Sequence, residues 1–435
     1  MRSYTVLPAR SVSGRMRVPG DKSISHRSLM LGGIASGRTE VRGFLDSADC
    51  LATLAALQDM GVQVDRHDAT SLTVHGKGMA GLRAPAGVLD MGNAGTAIRL
   101  SMGLLAGQKF VSVLTGDASL QKRPMERVAA PLRLMGADIA TTAGKPPVTL
   151  SPVQTLRAID YVLPVASAQV KSAILLAGLY AHGVTQVTEP APTRDHTERM
   201  LRALGAQVTT DGARVRLSGG QALYGAHIDV PGDFSSAAFF LVAGCMAAAD
   251  GLVIENVGIN PTRTGLLDIL RLMGADIRLH ALDSKGAEPV ADIELRQSSL
   301  HGIHVPESLV PLAIDEFPVL FIAAAAAQGD TVVTGAEELR VKESDRLAVM
   351  AAGLTANGVI NELAPDGIRI QGGRRLSGAE VDSHGDHRIA MAFAIASLYA
   401  NGPMVIRDVE NVGTSFPRFV ATARGCGLDV TETGD

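Results

Sequence analysis

The chain has 435 residues, more than one compact hydrophobic core organises, so two domains are expected. Its 46% apolar content excludes extended disorder, and a net charge of -4 excludes global attraction to nucleic acid or an anionic membrane. Three scattered cysteines, 3% aromatic residues without Trp, no apolar run of bilayer length and a start at Met1-Arg2-Ser3-Tyr4 argue against a disulfide framework, base-stacking platforms, a membrane span and a signal peptide; a cytoplasmic setting is expected.

Taken in chain order, one pattern returns six times at intervals of roughly 70 residues. It is a short strand, a polar loop, an apolar helix and a glycine. The copies are VPGDKSISHRSLMLGGIASG to Gly37, LDMGNAGTAIRLSMGLLAG to Gly107 and LPVASAQVKSAILLAGLYAHG to Gly183. DVPGDFSSAAFFLVAGCMAAADG to Gly251, AIDEFPVLFIAAAAAQG to Gly329 and VDSHGDHRIAMAFAIASLYANG to Gly402 complete the set. A strand follows each, then a second amphipathic helix closed by Gly61, Gly136, Gly205, Gly274, Gly358 or Gly427, where a left-handed residue is needed. The unit is therefore βαβαββ, and the fold class is α/β with three such repeats in each of two domains.

The helices stay alike from copy to copy while the polar loops before them differ, and variable loops on a repeated scaffold are where chemistry sits. Three repeats per domain gather three helix N-termini, whose free N–H groups and dipoles attract anions without net positive charge. A repeat scaffold used only for binding is the rival reading.

The loops carry the relevant groups. Gly20-Asp21-Lys22-Ser23-Ile24-Ser25-His26-Arg27 offers an ammonium, a guanidinium and hydroxyls suited to phosphate and carboxylate, with plain helix capping as the bland alternative. Gly92-Asn93-Ala94-Gly95-Thr96, with Arg99 one turn on, lets a backbone approach a ligand closely. Gln121-Lys122-Arg123-Pro124 sets two cations side by side, Ser167-Ala168-Gln169 supplies neutral donors, and Arg194-Asp195-His196 precedes another helix.

In the C-terminal half, Asp315 and Glu316 stand at a helix start, where dipole complementation is the ordinary reading. Val341-Lys342-Glu343-Ser344-Asp345-Arg346 alternates in sign as a solvated, salt-bridged turn does. His384 and His387 lack the further ligands of a metal site, so no metal is expected. Gly76 to Gly81 matches GxGxxG but leads into Leu82-Arg83-Ala84-Pro85 rather than a helix, and GDKS lacks the upstream glycine of a Walker loop, so neither NAD nor ATP is called for and no cofactor is expected.

GDKSISHRS, GNAGTAIRL, QKRPMERV, SAQVKSAILLAG, the Asp315 loop, RVKESDRL, GDHRIAMA and SFPRF, in this order and spacing, make the chain resemble the 5-enolpyruvylshikimate-3-phosphate synthase family over nearly its whole length. The resemblance implies two domains of three βαβαββ units each, an inside-out α/β barrel, with crossings near Gly20 and at Val230 to Asp233. Residues 1–20 and 231–435 would form one domain, bearing Arg and Glu loops of the phosphoenolpyruvate site. Residues 21–230 would form the other, bearing loops for shikimate 3-phosphate.

It further implies that the enolpyruvyl group of phosphoenolpyruvate passes to the 5-hydroxyl of shikimate 3-phosphate through a tetrahedral intermediate, with release of phosphate, on the route to aromatic amino acids. By motif, Lys22 would meet both substrates, and Ser23 with Arg27 would hold the shikimate part. Ser167, Ala168 and Arg194 would bind the 3-phosphate, and Gln169 would lie over the ring. Gly95 in the Asn93 loop, Arg123, Arg346 and Arg388 would form the rest of the phosphoenolpyruvate site. Asp315, Lys342 and Glu343 would surround the reacting atoms, with Lys22, Asp315 and Glu343 sharing the acid and base work.

One departure stands near the C-terminus, where Thr414 occupies the position of a lysine found in many members. The related enzyme acting on UDP-N-acetylglucosamine is the nearer rival; it carries a cysteine in the loop that here reads Gly116-Asp117-Ala118-Ser119-Leu120. The family is the target of glyphosate, and Gly95 is the position at which some insensitive members carry alanine. A monomer without nucleic-acid or membrane partners is expected.

Overall fold

A computed structural model of the protein describes residues 2–282 and 286–434. The chain divides into two compact units. One is Gly20–Val230 with Lys285–Glu288; the other is Met1–Pro19, Pro231–Ser284 and Pro289–Asp435. They are called here the 20–230 unit and the 231–435 unit. Each has its own hydrophobic core.

In the 20–230 unit the helices are α1 (Lys22–Ile34), α2 (Ala48–Asp59), α3 (Gly95–Leu105), α4 (Glu126–Leu134), α5 (Ala168–Gly178) and α6 (His196–Ala203). The first helix of each repeat, α1, α3 or α5, is buried through most of its length, whereas α2, α4 and α6 keep a wet face. The second helices are amphipathic; of the first ones, α3 and α5 are mostly apolar and belong inside, and α1 buries Ser25, His26, Arg27 and Ser28 on hydrogen-bond partners. Gly103 lets α3 and α5 touch, since a Cβ there would lie 2.2 Å from the Ala173 carbonyl oxygen.

Three four-stranded sheets belong to this unit and share one order. His227–Asp229, Ser36–Arg42, Ser71–Lys77 and Gln63–Arg66 form the first. Leu89–Asp90, Ser112–Thr115, Lys145–Ser151 and Asp138–Thr142 form the second; Asp160–Val162, Val184–Thr188, Arg214–Ser218 and Val208–Asp211 form the third. In each, the leading strand runs parallel to its neighbour and the others are antiparallel.

The 231–435 unit repeats the plan with α7 (Phe234–Ala247), α8 (Gly265–Leu272), α9 (Val310–Ala313), α10 (Phe317–Ala326), α11 (Arg346–Ala356), α12 (His387–Ala396) and α13 (Phe419–Cys426). Its strands are partly borrowed along the chain. Gly14–Arg17 precedes α1 in sequence but pairs parallel with Leu252–Gly258 of this unit. Reciprocally, His227–Asp229 precedes α7 yet pairs with Ser36–Arg42 of the 20–230 unit. The N-terminal strand Ser3–Leu7 sits between Met404–Arg407 and Asp429–Thr433, closing the last sheet.

All six glycines expected to end the second helices have positive φ, from +77° at Gly358 to +117° at Gly427. An L-residue at these positions would be strained, so each helix is stopped locally.

Candidate active site

Helix α1 begins at Lys22, inside the GDKS run, because the Asp21 side chain accepts the Ile24 N–H at 2.9 Å and caps it. Lys22 forms an ion pair with Asp49 at the start of α2. His26 is fully buried, with Nδ1 against Thr53 Oγ1 at 2.8 Å. Burial, aided by Lys22 and Arg27, lowers its pKa to about 3, so the ring is neutral. Arg27 is 3% exposed. It donates to Thr197 Oγ1 at 2.7 Å, Ser172 Oγ at 2.9 Å and the Ser23 carbonyl at 2.9 Å. These bonds join α1 to α5 and α6. Burial lowers its pKa to about 10, partly offset by Glu198 and Asp21 and lowered further by nearby Arg194, so it remains charged at neutral pH.

A second set joins α3 to α5. Arg99 donates to Gln169 Oε1 at 2.6 Å, and Gln169 Nε2 donates to Thr96 Oγ1 at 3.0 Å. Arg123 donates to Asn93 Oδ1 at 2.7 Å, and Asn93 in turn donates to Asp117 Oδ2 at 2.7 Å. Gly95 opens α3 beneath these guanidiniums: a Cβ there would stand 3.0 Å from Arg123 Nη1 and 3.2 Å from Arg99 Nη1. Ser167 caps α5, accepting from Val170 N at 3.4 Å, and Ala168 follows as its first residue. The 20–230 unit thus links the N-terminal ends of α1, α3, α5 and α6 through arginines, hydroxyls and amides.

In the 231–435 unit the corresponding cluster is built from ions. Arg346, the first residue of α11, has a side chain 1% exposed. Its Nε meets Asp386 Oδ2 at 2.8 Å, Nη2 meets Glu343 Oε2 at 2.6 Å and Nη1 meets Asp315 Oδ1 at 3.3 Å. Burial opposes its charge, but Asp386, Glu343 and Asp315 outweigh burial and raise its pKa. Lys342 lies 3.2 Å from Asp315 Oδ1. Arg388 donates to the Asp315 carbonyl at 3.0 Å and lies 3.6 Å from Glu316 Oε1. Asp386 caps α12 through the Arg388 N–H at 2.9 Å and accepts from Ser344 Oγ at 3.1 Å.

The sign-alternating run 341–346 is therefore not a solvated turn: it ends in a buried guanidinium whose partners come from three separate loops. Lys342, Glu343, Asp315 and Arg388 keep 14% to 26% of their side chains exposed above it, open enough to meet a ligand. Thr414 adds no cation; its hydroxyl donates to the Asn411 carbonyl at 2.7 Å.

Sequence reading missed Asp386, Thr197 and Ser172, which hold the two buried arginines; Glu316, expected only to complement a helix dipole, is a buried carboxylate that accepts from Ser235. Two were detectable in principle: Asp386 stands at a helix cap position, and Ser172 follows a lysine in an otherwise apolar helix. Among the described residues no helix is long and apolar enough to cross a membrane.

The chain is built of βαβαββ repeats in two units, and in each unit charged and polar side chains gather at the N-terminal ends of the helices. The signature of EPSP synthase (3-phosphoshikimate 1-carboxyvinyltransferase) matches residues 6–422. The chain is 60% identical to the 3-phosphoshikimate 1-carboxyvinyltransferase of Acidithiobacillus ferrooxidans over 98% of both chains. It is 58% identical to that of Alkalilimnicola ehrlichii, over 98% of this chain and 96% of the relative. A solved EPSP synthase from Acinetobacter baumannii superposes with a TM-score of 0.90 at 54% identity, covering 100% of each chain. The chain belongs to the EPSP synthase (3-phosphoshikimate 1-carboxyvinyltransferase) family. It is a transferase of the shikimate pathway that moves the enolpyruvyl group of phosphoenolpyruvate to shikimate 3-phosphate.

Proposed function

We propose that Asp315 and Glu343 in the ion cluster of the 231–435 unit, together with Lys22, perform the proton transfers of this reaction and that the α1, α5 and α6 ends of the 20–230 unit hold shikimate 3-phosphate. The observation that carries the reading is the Asp315–Lys342–Glu343–Arg346 grouping, two carboxylates and two cations with contacts of 2.6 to 3.3 Å. Carboxylates beside cations are suited to exchange protons with a substrate bound above them.

The 5-hydroxyl of shikimate 3-phosphate attacks C2 of phosphoenolpyruvate and loses its proton, while C3 gains one. In the resulting tetrahedral intermediate C3 loses a proton again as the C2–O bond to phosphate breaks and the double bond re-forms. Asp315 orients or deprotonates the hydroxyl, and Glu343 or Lys22 serves C3. Arg346 and Arg388 suit the donor's carboxylate and phosphate because a planar guanidinium binds either group through two parallel bonds. Arg123 contributes to the same donor, and Gly95 leaves its backbone bare.

Lys342 neutralises charge beside Asp315. In the 20–230 unit Ser23 and Arg27 bind the shikimate part, Ser167, Ala168 and Arg194 bind its 3-phosphate, Gln169 covers the ring, and Asn93 holds Arg123 in place. On this reading the enzyme acts as a monomer in the cytoplasm, a reducing setting that suits its three buried, free cysteines.

Phosphate release is the decisive assay. It should require both phosphoenolpyruvate and shikimate 3-phosphate and fall roughly 100-fold or more in Asp315→Asn. Turnover with UDP-N-acetylglucosamine as acceptor, or near-normal turnover of Asp315→Asn, would overturn the assignment.

A further inference from the structure

Helix α5 carries one charged residue in an otherwise apolar, buried run. The Lys171 ammonium, 1% exposed, lies 2.9 Å from Glu189 Oε2, 2.8 Å from Glu198 Oε1 and 3.4 Å from the Thr193 carbonyl. The Thr193 hydroxyl donates to the other Glu189 oxygen. Glu198 is fully buried, and the Lys171 ammonium compensates its charge. Burial opposes the lysine's charge, but Glu198 and Glu189 outweigh it and hold Lys171 protonated, while burial pushes the Glu189 carboxyl upward. With Arg27, which Glu198 also favours, the cluster balances two cations against two carboxylates.

A buried ion cluster is a poor source of stability, since desolvation consumes most of the attraction. This one is notable for where its bonds lead. The segment from Glu189 to Arg194 reads Glu-Pro-Ala-Pro-Thr-Arg. Its last ladder bond is Glu189 N to the Ala213 carbonyl at 2.9 Å. Pro190 and Pro192 have no N–H to give, so backbone bonding is a weak means of holding the segment. Lys171 grips it at both ends instead, through Glu189 and through Thr193, the residue before Arg194. On α6 it grips Glu198, whose neighbour Thr197 accepts from Arg27.

We propose that Lys171 is a positioning residue for shikimate 3-phosphate: it clamps the 189–194 segment to α5 and thereby sets Arg194, and through α6 sets Arg27. The inference rests on the reading above in which those two arginines hold that substrate.

Steady-state kinetics in both substrates, with thermal unfolding alongside, test it. Lys171→Met should raise KM for shikimate 3-phosphate roughly tenfold, the equivalent of about one charge-assisted hydrogen bond, and change KM for phosphoenolpyruvate less than about twofold. A role in stability alone would lower the melting temperature and leave both KM values in place. Lys171→Met strands two buried carboxylates, so Thr193→Val is measured beside it. It removes one hydroxyl from the same clamp without unpairing an ion, and the same selective change of roughly threefold is expected.

An unchanged KM for shikimate 3-phosphate in folded Thr193→Val overturns the proposal, whether or not Lys171→Met folds. Arg194→Ala separates the two levels of argument. If it leaves that KM unchanged, the site reading fails; if it raises KM while Thr193→Val does not, the clamp alone fails.

Discussion

Arg27 and Arg346 are both buried arginines at N-terminal ends of helices in their units, yet they are held in opposite ways. Arg27 donates to two hydroxyls and a carbonyl, and burial lowers its pKa to about 10. Arg346 faces Asp386, Glu343 and Asp315, and its pKa is raised. Neutral partners satisfy the Arg27 donors, and the carboxylates that favour its charge, Glu198 first, act from farther away. Carboxylate partners cancel the charge but supply groups able to carry protons. The same repeat thus holds a buried arginine by neutral partners in one unit and by carboxylates in the other, and the roles proposed above for the two ends follow that contrast.

The sharpest way to break this contrast is Glu343→Gln. It keeps shape and hydrogen bonding beside Arg346 but cannot exchange a proton. Turnover should fall roughly 100-fold or more with both KM values within a few-fold. Near-normal turnover would reduce Glu343 to a structural ion-pair partner.

Arg27→Lys attacks the other side. An ammonium keeps the charge but cannot reproduce the three diverging bonds to Ser23, Ser172 and Thr197. KM for shikimate 3-phosphate should rise roughly tenfold while kcat changes little. Equal losses in kcat and in both KM values would show that Arg27 serves the whole fold rather than one substrate.

Gly95→Ala should have a smaller effect. The added methyl meets the ends of Arg123 and Arg99 rather than backbone, so the guanidiniums shift by a few tenths of an ångström. KM for phosphoenolpyruvate should rise about threefold, and inhibition by glyphosate, longer than the donor, should weaken more than that. Titration of the inhibitor at fixed phosphoenolpyruvate checks the ratio; equal inhibition constants for the two proteins would show that this methyl does not limit the site.

The mildest prediction concerns acid. His26 has its pKa lowered from 6.5 to about 3 by burial, so the unfolded chain binds its proton more readily. Stability from this group is complete above pH 6.5 and is lost as pH falls toward 3, with a steepest slope of about 1.4 kcal/mol per pH unit. Denaturant melts of wild type and His26→Gln between about pH 3 and pH 6.5, the range this shift spans, should show a shallower pH dependence in the variant. Parallel curves would mean that His26 takes up a proton in the folded state.

The sequence by itself determined what depends on neighbours along the chain. The six repeats were legible because each second helix must stop at a left-handed residue, and Gly61, Gly136, Gly205, Gly274, Gly358 and Gly427 all have positive φ. The motif loops were legible because each opens a helix, and a helix start exposes N–H groups wherever it occurs.

Only the tertiary structure decided which charges meet and which are buried. Nothing local pairs Gly14–Arg17 with Leu252–Gly258, or Ser3–Leu7 with Asp429–Thr433. Nothing in Lys342-Glu343-Ser344-Asp345-Arg346 distinguishes a solvated run from one whose last residue is sealed by Asp386 and Asp315. Lys171 makes the same point within one helix. Its place among apolar residues is visible in the sequence, but Glu189 and Glu198 become its partners only when α6 and the end of Val184–Thr188 fold against α5. A charge's environment is the sum of groups brought near it in space, and at these sites most of those groups lie tens to hundreds of residues away along the chain.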